Sequence, residues 1–174
     1  MERRVEALVV GGGLAGLSAA YFLARRGLRP WVLEREAPLS CTSDKSTEAY
    51  RLFWPGDEDL AALVRESLDL LSPFAGVARP NRRGYLYVGR LEALEAMALE
   101  APHAGPLRVH REAATYPKEA ASGLDLLLPG ALGEVFPYLG HLRGLGGLHV
   151  RPAGWLSAQG LGMGDVGVAG DPPV

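Results

Sequence analysis

The chain has 174 residues, 48% hydrophobic and 22% charged, with a formal net charge of −2. That length suits one domain, two at most, and lets the chain bury about two thirds of its unfolded surface without covalent staples. The single cysteine, Cys41, forbids an intrachain disulfide, and four scattered histidines give no zinc-ligand spacing. The weak charge offers no electrostatic pull on nucleic acid or an anionic membrane.

In chain order, the apolar run Val5–Val10 predicts a buried parallel strand. Leu14–Arg26 reads as a helix of small and apolar residues that stops at Gly27, with Arg25 and Arg26 at the negative end of its dipole. Pro30–Glu34 is a second strand, so the first 34 residues make a βαβ unit with the right-handed crossover such units adopt. Ala7–Ala24 carries no charge, yet Gly11, Gly12, Gly13 and Gly16 interrupt it and no small-residue cleavage site follows. It is therefore neither a membrane anchor nor a signal peptide, and a cytoplasmic protein with no membrane span is expected.

Ser40–Tyr50 reads as a polar loop. Asp57 is placed to cap a helix running to Leu71, with Leu60, Leu63, Val64, Leu68 and Leu71 on its core face. Arg83–Val88 predicts a strand and Leu91–Ala101 a helix. Beyond Pro106 only short apolar pieces stand out, at Leu107–Val109, Leu124–Leu128 and Val135–Leu139. From Gly162 onward the glycine-rich sequence predicts neither helix nor strand. The expected organisation is a dinucleotide-binding region over 1–90, a continuation over 91–160 and an irregular tail over 161–174.

The chemistry lies in Gly11-x-Gly13-x-x-Gly16, set between the first strand and the first helix. Gly11 permits the tight turn, Gly13 lets a pyrophosphate approach the backbone, and Gly16 with Ala20 lets helix and strand pack closely. The N–H groups at Leu14, Ala15 and Gly16 open a helix whose positive end faces the phosphates. Glu34, at the end of the second strand, can accept hydrogen bonds from ribose hydroxyls and would repel a 2′-phosphate. The glycines alone leave FAD and NAD both open.

The run Val9–Glu36 resembles the amino terminus of the FAD-dependent oxidoreductases of the D-amino-acid oxidase superfamily, a group that includes glycine oxidase, sarcosine oxidase and dimethylglycine dehydrogenase-like proteins. Thr42–Asp57, Asn81–Val88 and Ala153–Gln159 resemble later stretches of one subgroup. The resemblance implies an α/β, Rossmann-like FAD-binding fold with an α+β insertion after residue 40. It implies that the backbone at Gly11, Gly13, Leu14, Ala15 and Gly16 cradles the FAD pyrophosphate and that Glu34 holds the ribose. Arg35 would lie near the adenosine, or else be a solvated arginine. Thr42, Ser43, Lys45 and Ser46 would bring hydroxyls and N–H groups to the pyrophosphate and flavin, or else form a surface turn.

Cys41 is expected to be a buried thiol, the alternative being a covalent flavin link, and Arg82 and Arg83 are expected at the surface, the alternative being a bidentate clamp on a carboxylate. The histidines show no partners, and the sequence assigns neither catalytic residues nor metal ligands. The resembling proteins are roughly twice as long, so the chain reads as their amino-terminal part, apparently truncated, with a frame shift expected near Gly160–Gly164. Three functional expectations follow. The chain oxidises a small amine or amino acid; it is an inactive FAD-binding remnant; or it is half of a split enzyme, self-associating or completed by a partner chain. An NAD-dependent dehydrogenase is the alternative resting on the glycines alone.

Overall fold

The computed structural model describes residues 4–170, with side chains as far as Gly164. The elements run β1 (Ala7–Val10), α1 (Leu14–Arg25), β2 (Pro30–Leu33), α2 (Thr42–Lys45), β3 (Ala49–Arg51), α3 (Glu58–Leu70) and α4 (Ala75–Ala78). They continue as β4 (Tyr85–Gly89), α5 (Leu91–Leu99), β5 (Leu107–His110), β6 (Leu124–Leu127), α6 (Pro129–Val135), β7 (Gly146–Val150), β8 (Ala153–Trp155) and α7 (Ala158–Gly170). They form two units that are discontinuous in sequence, unlike the contiguous segments expected. The first holds residues up to Glu48, Leu71–Pro80 and those from Leu156 onward; the second holds Ala49–Leu70 and Asn81–Trp155.

The first unit opens with the expected βαβ. β1 and β2 pair in parallel, Ala7 opposite Pro30 and Val10 opposite Leu33. α1 ends where Gly27, at φ +85°, turns the chain: Gly27 N–H bonds the Ala24 carbonyl and Leu28 N–H the Leu23 carbonyl. That pair of bonds satisfies the last carbonyls of the helix and uses the conformation glycine adopts most readily. β1 is not the buried strand expected. Leu8 is 53%, Val10 79% and Leu33 50% exposed, because among the described residues of this unit α1 covers only the opposite, Ala7–Val9 face.

The tail is the larger departure. Backbone from Ala158 to Gly170 is helical, where irregular structure was expected from Gly162, and the last four residues lie outside the described range. Glycine disfavours helix by about 1 kcal/mol per residue, but here it permits close packing. A Cβ at Gly160 would overlap the Val77 carbonyl of α4, and one at Gly164 would lie 2.9 Å from Val77 Cγ2. Tyr21, Phe74, Ala78 and Leu161 make the small core between α1, α4 and α7.

The second unit is built on a mixed sheet in the order β4-β7-β6-β5, antiparallel except for β5–β6. Tyr85, Tyr87, Leu124, Leu126, Leu148 and Val150 line one face and pack on Leu94 and Ala98 of α5. The other face carries Asp125, Leu127 and His149, with Ala131 and Leu132 of α6 against it. β7, a central strand, carries no strand signal in its Gly-Gly start. A Cβ at Gly147 would lie 2.6 Å from Leu132 Cδ1, so the glycine is what lets α6 seat. β3 pairs with β8, which replaces part of the Ser40–Tyr50 loop with a strand. Asp57 caps α3 through Oδ1 to Leu60 N–H at 2.9 Å, as expected. The predicted core face of α3 is half-buried at Leu60, Val64 and Leu68 and exposed at Leu63, which is 60% accessible; Ala61 is the fully buried residue of the helix.

Candidate functional site

The fingerprint lies wholly in the first unit. Gly11 continues the β1–β2 ladder by donating its N–H to the Leu33 carbonyl at 2.8 Å and then turns at φ +102°. A Cβ there would point into open space, whereas one at Gly16 would run into the Gly11 carbonyl oxygen. Gly16 is therefore what allows the first turn of α1 to sit on the strand end. The opening N–H groups of a helix have no partners within it and gather partial positive charge.

Glu34, solvent-exposed, accepts three backbone N–H groups: Gly12 at 2.6 Å on Oε2, and Arg35 at 2.7 Å and Glu36 at 3.0 Å on Oε1. These bonds, that from Glu36 foremost and then those from Gly12 and Arg35, hold its pKa below the usual carboxylate range. It stays ionised and fixed beside the glycine turn, with acceptor capacity left on Oε2. Arg35 points away, 87% exposed and paired with Glu36 at 3.3 Å.

The segment after β2 folds back onto the fingerprint. Leu39 donates its N–H to the Gly12 carbonyl at 2.9 Å, and Ser43 Oγ accepts the Leu14 N–H at 3.0 Å. Ser43 thus stands at the N-terminus of α1. Its neighbours do not join it: Thr42 is exposed in α2, Lys45 pairs with Asp44, and Ser46 Oγ accepts the Glu48 N–H at 3.1 Å in a local turn. Cys41 is exposed, not the buried thiol expected, because it precedes the first turn of α2 at the surface.

The second unit holds an unforeseen polar centre. Asp125, fully buried, accepts Arg108 Nε at 2.6 Å and Nη2 at 3.2 Å, Arg151 Nε at 2.5 Å, and bonds His110 Nε2 at 2.8 Å. Burial pushes its pKa up, but the bonds from Arg108, His110 and Arg151 outweigh that and bring it to about 2. His149 donates from Nε2 to the Arg83 carbonyl at 2.8 Å, which leaves Nδ1 to accept the Tyr116 hydroxyl at 2.7 Å. His110 and His149 therefore do have partners, which sequence reasoning missed. An aspartate within the apolar run Leu124–Leu128 was the one signal that could have found the centre. Arg82 and Arg83 are exposed. Among the described residues no group of three or more His, Cys, Asp or Glu side chains is arranged to hold a metal ion, and no helix is long and apolar enough to cross a membrane.

Residues 6–162 match the family described as FAD dependent oxidoreductase. The chain belongs to that family. Its fold is similar to L-proline dehydrogenase from P. horikoshii (TM-score 0.74, 17% identity, 97% of this chain and 42% of that one). It is equally similar to glycine oxidase from Geobacillus kaustophilus (TM-score 0.74, 18% identity, 97% and 45%). In sequence, 63 residues are 46% identical to aklavinone 12-hydroxylase DnrF from Streptomyces peucetius, covering 33% of this chain and 13% of that protein. The chain thus spans less than half the length of these proteins. FAD is the cofactor of the family, and the residues present fit it. The open space beside Gly11, which a side chain would fill, lies next to the exposed, ionised Glu34 at the opening of α1.

Proposed function

We propose that this chain binds FAD through the first unit and belongs to a cytoplasmic oxidoreductase acting on a small amine or amino acid. The observation that carries the reading is the convergence of the Gly11–Gly16 turn, Glu34 and Ser43 on the N-terminus of α1. In this reading the N–H groups at Gly13, Ala15 and Gly16 and the Ser43 hydroxyl, which takes up the Leu14 N–H, hold the pyrophosphate, and Glu34 accepts from the adenosine ribose. Thr42, Lys45 and Ser46 border the site without a bond into it, and Arg35 stays in solvent. FAD, when bound, supplies a two-electron acceptor for oxidation of the carbon next to the substrate nitrogen. The share of the described residues is to bind it, orient it and repel a 2′-phosphate. Amine oxidation is supported by the amino-acid-oxidising structures, which share the fold along 94–97% of this chain; the aklavinone 12-hydroxylases match in sequence over 33% of it or less.

The test is direct: purify the chain, incubate with excess FAD or NAD, desalt, and record the visible spectrum. A retained oxidised-flavin band is expected. Retention of NAD and not flavin would overturn the reading in favour of a dehydrogenase. A second reading, that the chain is one part of a split oxidoreductase completed by another polypeptide, is favoured by the exposed apolar face at Leu8, Val10 and Leu33. Parallel sheets bury both faces almost without exception, and apolar patches of this kind mark contact surfaces. Flavin retention without amine turnover by the chain alone, and with turnover restored by a co-expressed second chain, would select it. Retention without turnover in both settings would leave the inactive remnant.

A further inference from the structure

The described side chains of α7 lie outside the fingerprint, yet two of its residues hold the segment that brings Ser43 to it. Gln159 donates from Nε2 to the Leu39 carbonyl at 3.3 Å and to Asp44 Oδ1 at 3.4 Å, so a single amide spans both ends of the stretch that contains Ser43. Three residues further along the helix, Gly162 leaves a notch that Leu39 fills: a Cβ there would lie 2.6 Å from Leu39 Cδ1 and 2.8 Å from Cδ2. Leu39 is 1% exposed and sits at φ +64°, a left-handed conformation that a branched side chain holds only when its surroundings over-determine it. In that conformation its N–H reaches the Gly12 carbonyl at 2.9 Å.

The contacts form one path. Gly162 and Gln159 fix Leu39 and Asp44; Leu39 is tied to Gly12; and between them Ser43 Oγ meets the Leu14 N–H at 3.0 Å. We propose that Gln159 and Gly162 are positioning residues for the cofactor: they set the Leu39–Lys45 segment so that the Ser43 hydroxyl stands where the FAD pyrophosphate meets α1. The proposal rests on the FAD reading above. It gives the glycine-rich stretch after Gln159 a functional as well as a packing role. A side chain at Gly160 would strike the Val77 backbone and displace α4, whereas one at Gly162 strikes a side chain whose movement is passed to the cofactor segment.

The experiment compares the wild-type chain with Gly162→Ala, Gln159→Leu, Leu39→Ala and the Leu39→Ala/Gly162→Ala pair. It reads FAD affinity by flavin fluorescence, hydrogen exchange at residues 39–46 without FAD, and melting temperature. Gly162→Ala should weaken FAD about tenfold, in line with losing one well-placed hydrogen-bonding group, and should speed exchange at Leu39. Gln159→Leu should act in the same direction and more weakly. In the pair, the shortened side chain at 39 makes room for the new methyl, so FAD affinity should return to within about threefold of the Leu39→Ala value. Its melting temperature should stay low, because the cavity at 39 remains. Affinity that follows melting temperature across the set would reduce both residues to structural support and overturn the proposal. So would unchanged affinity and exchange in the two single α7 variants. Should Gly162→Ala fail to fold, Gln159→Leu and the pair decide. A wild-type chain that binds no FAD would sink the flavin reading and this proposal together, whereas wild-type binding with indifferent variants would sink the proposal alone.

Discussion

The two units solve opposite problems. The first is built around backbone: glycines bring helix α1 to strand β1 and helix α7 to helix α4, while Tyr21, Phe74, Ala78 and Leu161 make a small core cluster. The second is built around side chains, with a four-stranded sheet buried on one face by leucine, valine and tyrosine and on the other by α6 and an ion cluster. On the proposed reading, chemistry sits in the first unit and much of the stability in the second. Substitutions in the second unit should therefore read out as folding defects and substitutions in the first as ligand defects.

The sharpest way to break that division is Asp125→Ala. The change leaves Arg151, 6% exposed in its side chain, and Arg108 without their shared carboxylate inside the sheet. Removing one partner of a buried ion pair costs about 3–5 kcal/mol, a large fraction of the stability of most domains. Urea unfolding should show the loss in the transition reported by Tyr85 and Tyr87. FAD affinity per folded molecule should hold. A variant that unfolds normally but loses FAD would refute the division.

Next is Gly16→Ala, the reverse case. The added methyl meets the Gly11 carbonyl oxygen, so helix and strand must part at the turn proposed to hold FAD. Overpacking of this kind costs about 1–3 kcal/mol, and here it should appear as a ten- to hundredfold loss of FAD affinity, roughly the same free energy read as binding. Glu34→Gln should be milder, about tenfold in flavin affinity, because the amide keeps one acceptor for the Gly12 N–H but loses its charge. Fluorescence titration checks both, and equal losses of flavin and melting temperature in Gly16→Ala would count against a site-specific role.

The same contrast explains what could be read from the sequence. Gly11, Gly13, Gly16 and Glu34 were legible because a short-range pattern encodes a short-range structure: strand, turn, helix and a carboxylate beside the turn follow within 34 residues. Ser43 was legible only by resemblance, since its bond to Leu14 spans 29 residues. Leu39 and Gln159 could not be read at all, because a left-handed leucine and a notch in a distant helix leave no periodic trace. The glycines of β7 and α7 misled for one reason: propensity counts the entropy glycine costs, and only tertiary contact reveals the close approach it permits. The apolar face of α3 was legible as a stripe but not in depth: Leu60, Val64 and Leu68 are half-buried, while Leu63 at its edge stays exposed.

The smallest expected effect separates two acid windows in the second unit. His149 resists protonation, chiefly because it is buried and also because Arg151 lies close, although its bond to the Arg83 carbonyl works the other way. The unfolded histidine titrates near about 6.5, so as pH falls below that value the unfolded chain binds the extra proton first and stability is lost. Asp125 acts later: its folded pKa of about 2 lies below the ordinary carboxylate value, so its contribution is intact above about pH 4 and disappears as pH falls from there toward 2. Tyr116→Phe isolates the first window. It removes the hydroxyl that bonds His149 Nδ1 at 2.7 Å and should cost about 1 kcal/mol at pH 7.5. It also frees Nδ1 to take a proton without breaking a bond, which raises the folded pKa toward the unfolded one and flattens the loss of stability between pH 6.5 and 5. Below pH 4 the variant and the wild type should fall in parallel, since the Asp125 cluster is untouched. Urea midpoints at half-unit steps from pH 7.5 to 3 measure both slopes, and an unchanged upper slope in Tyr116→Phe would show that burial, and not the Tyr116 bond, keeps the proton off His149.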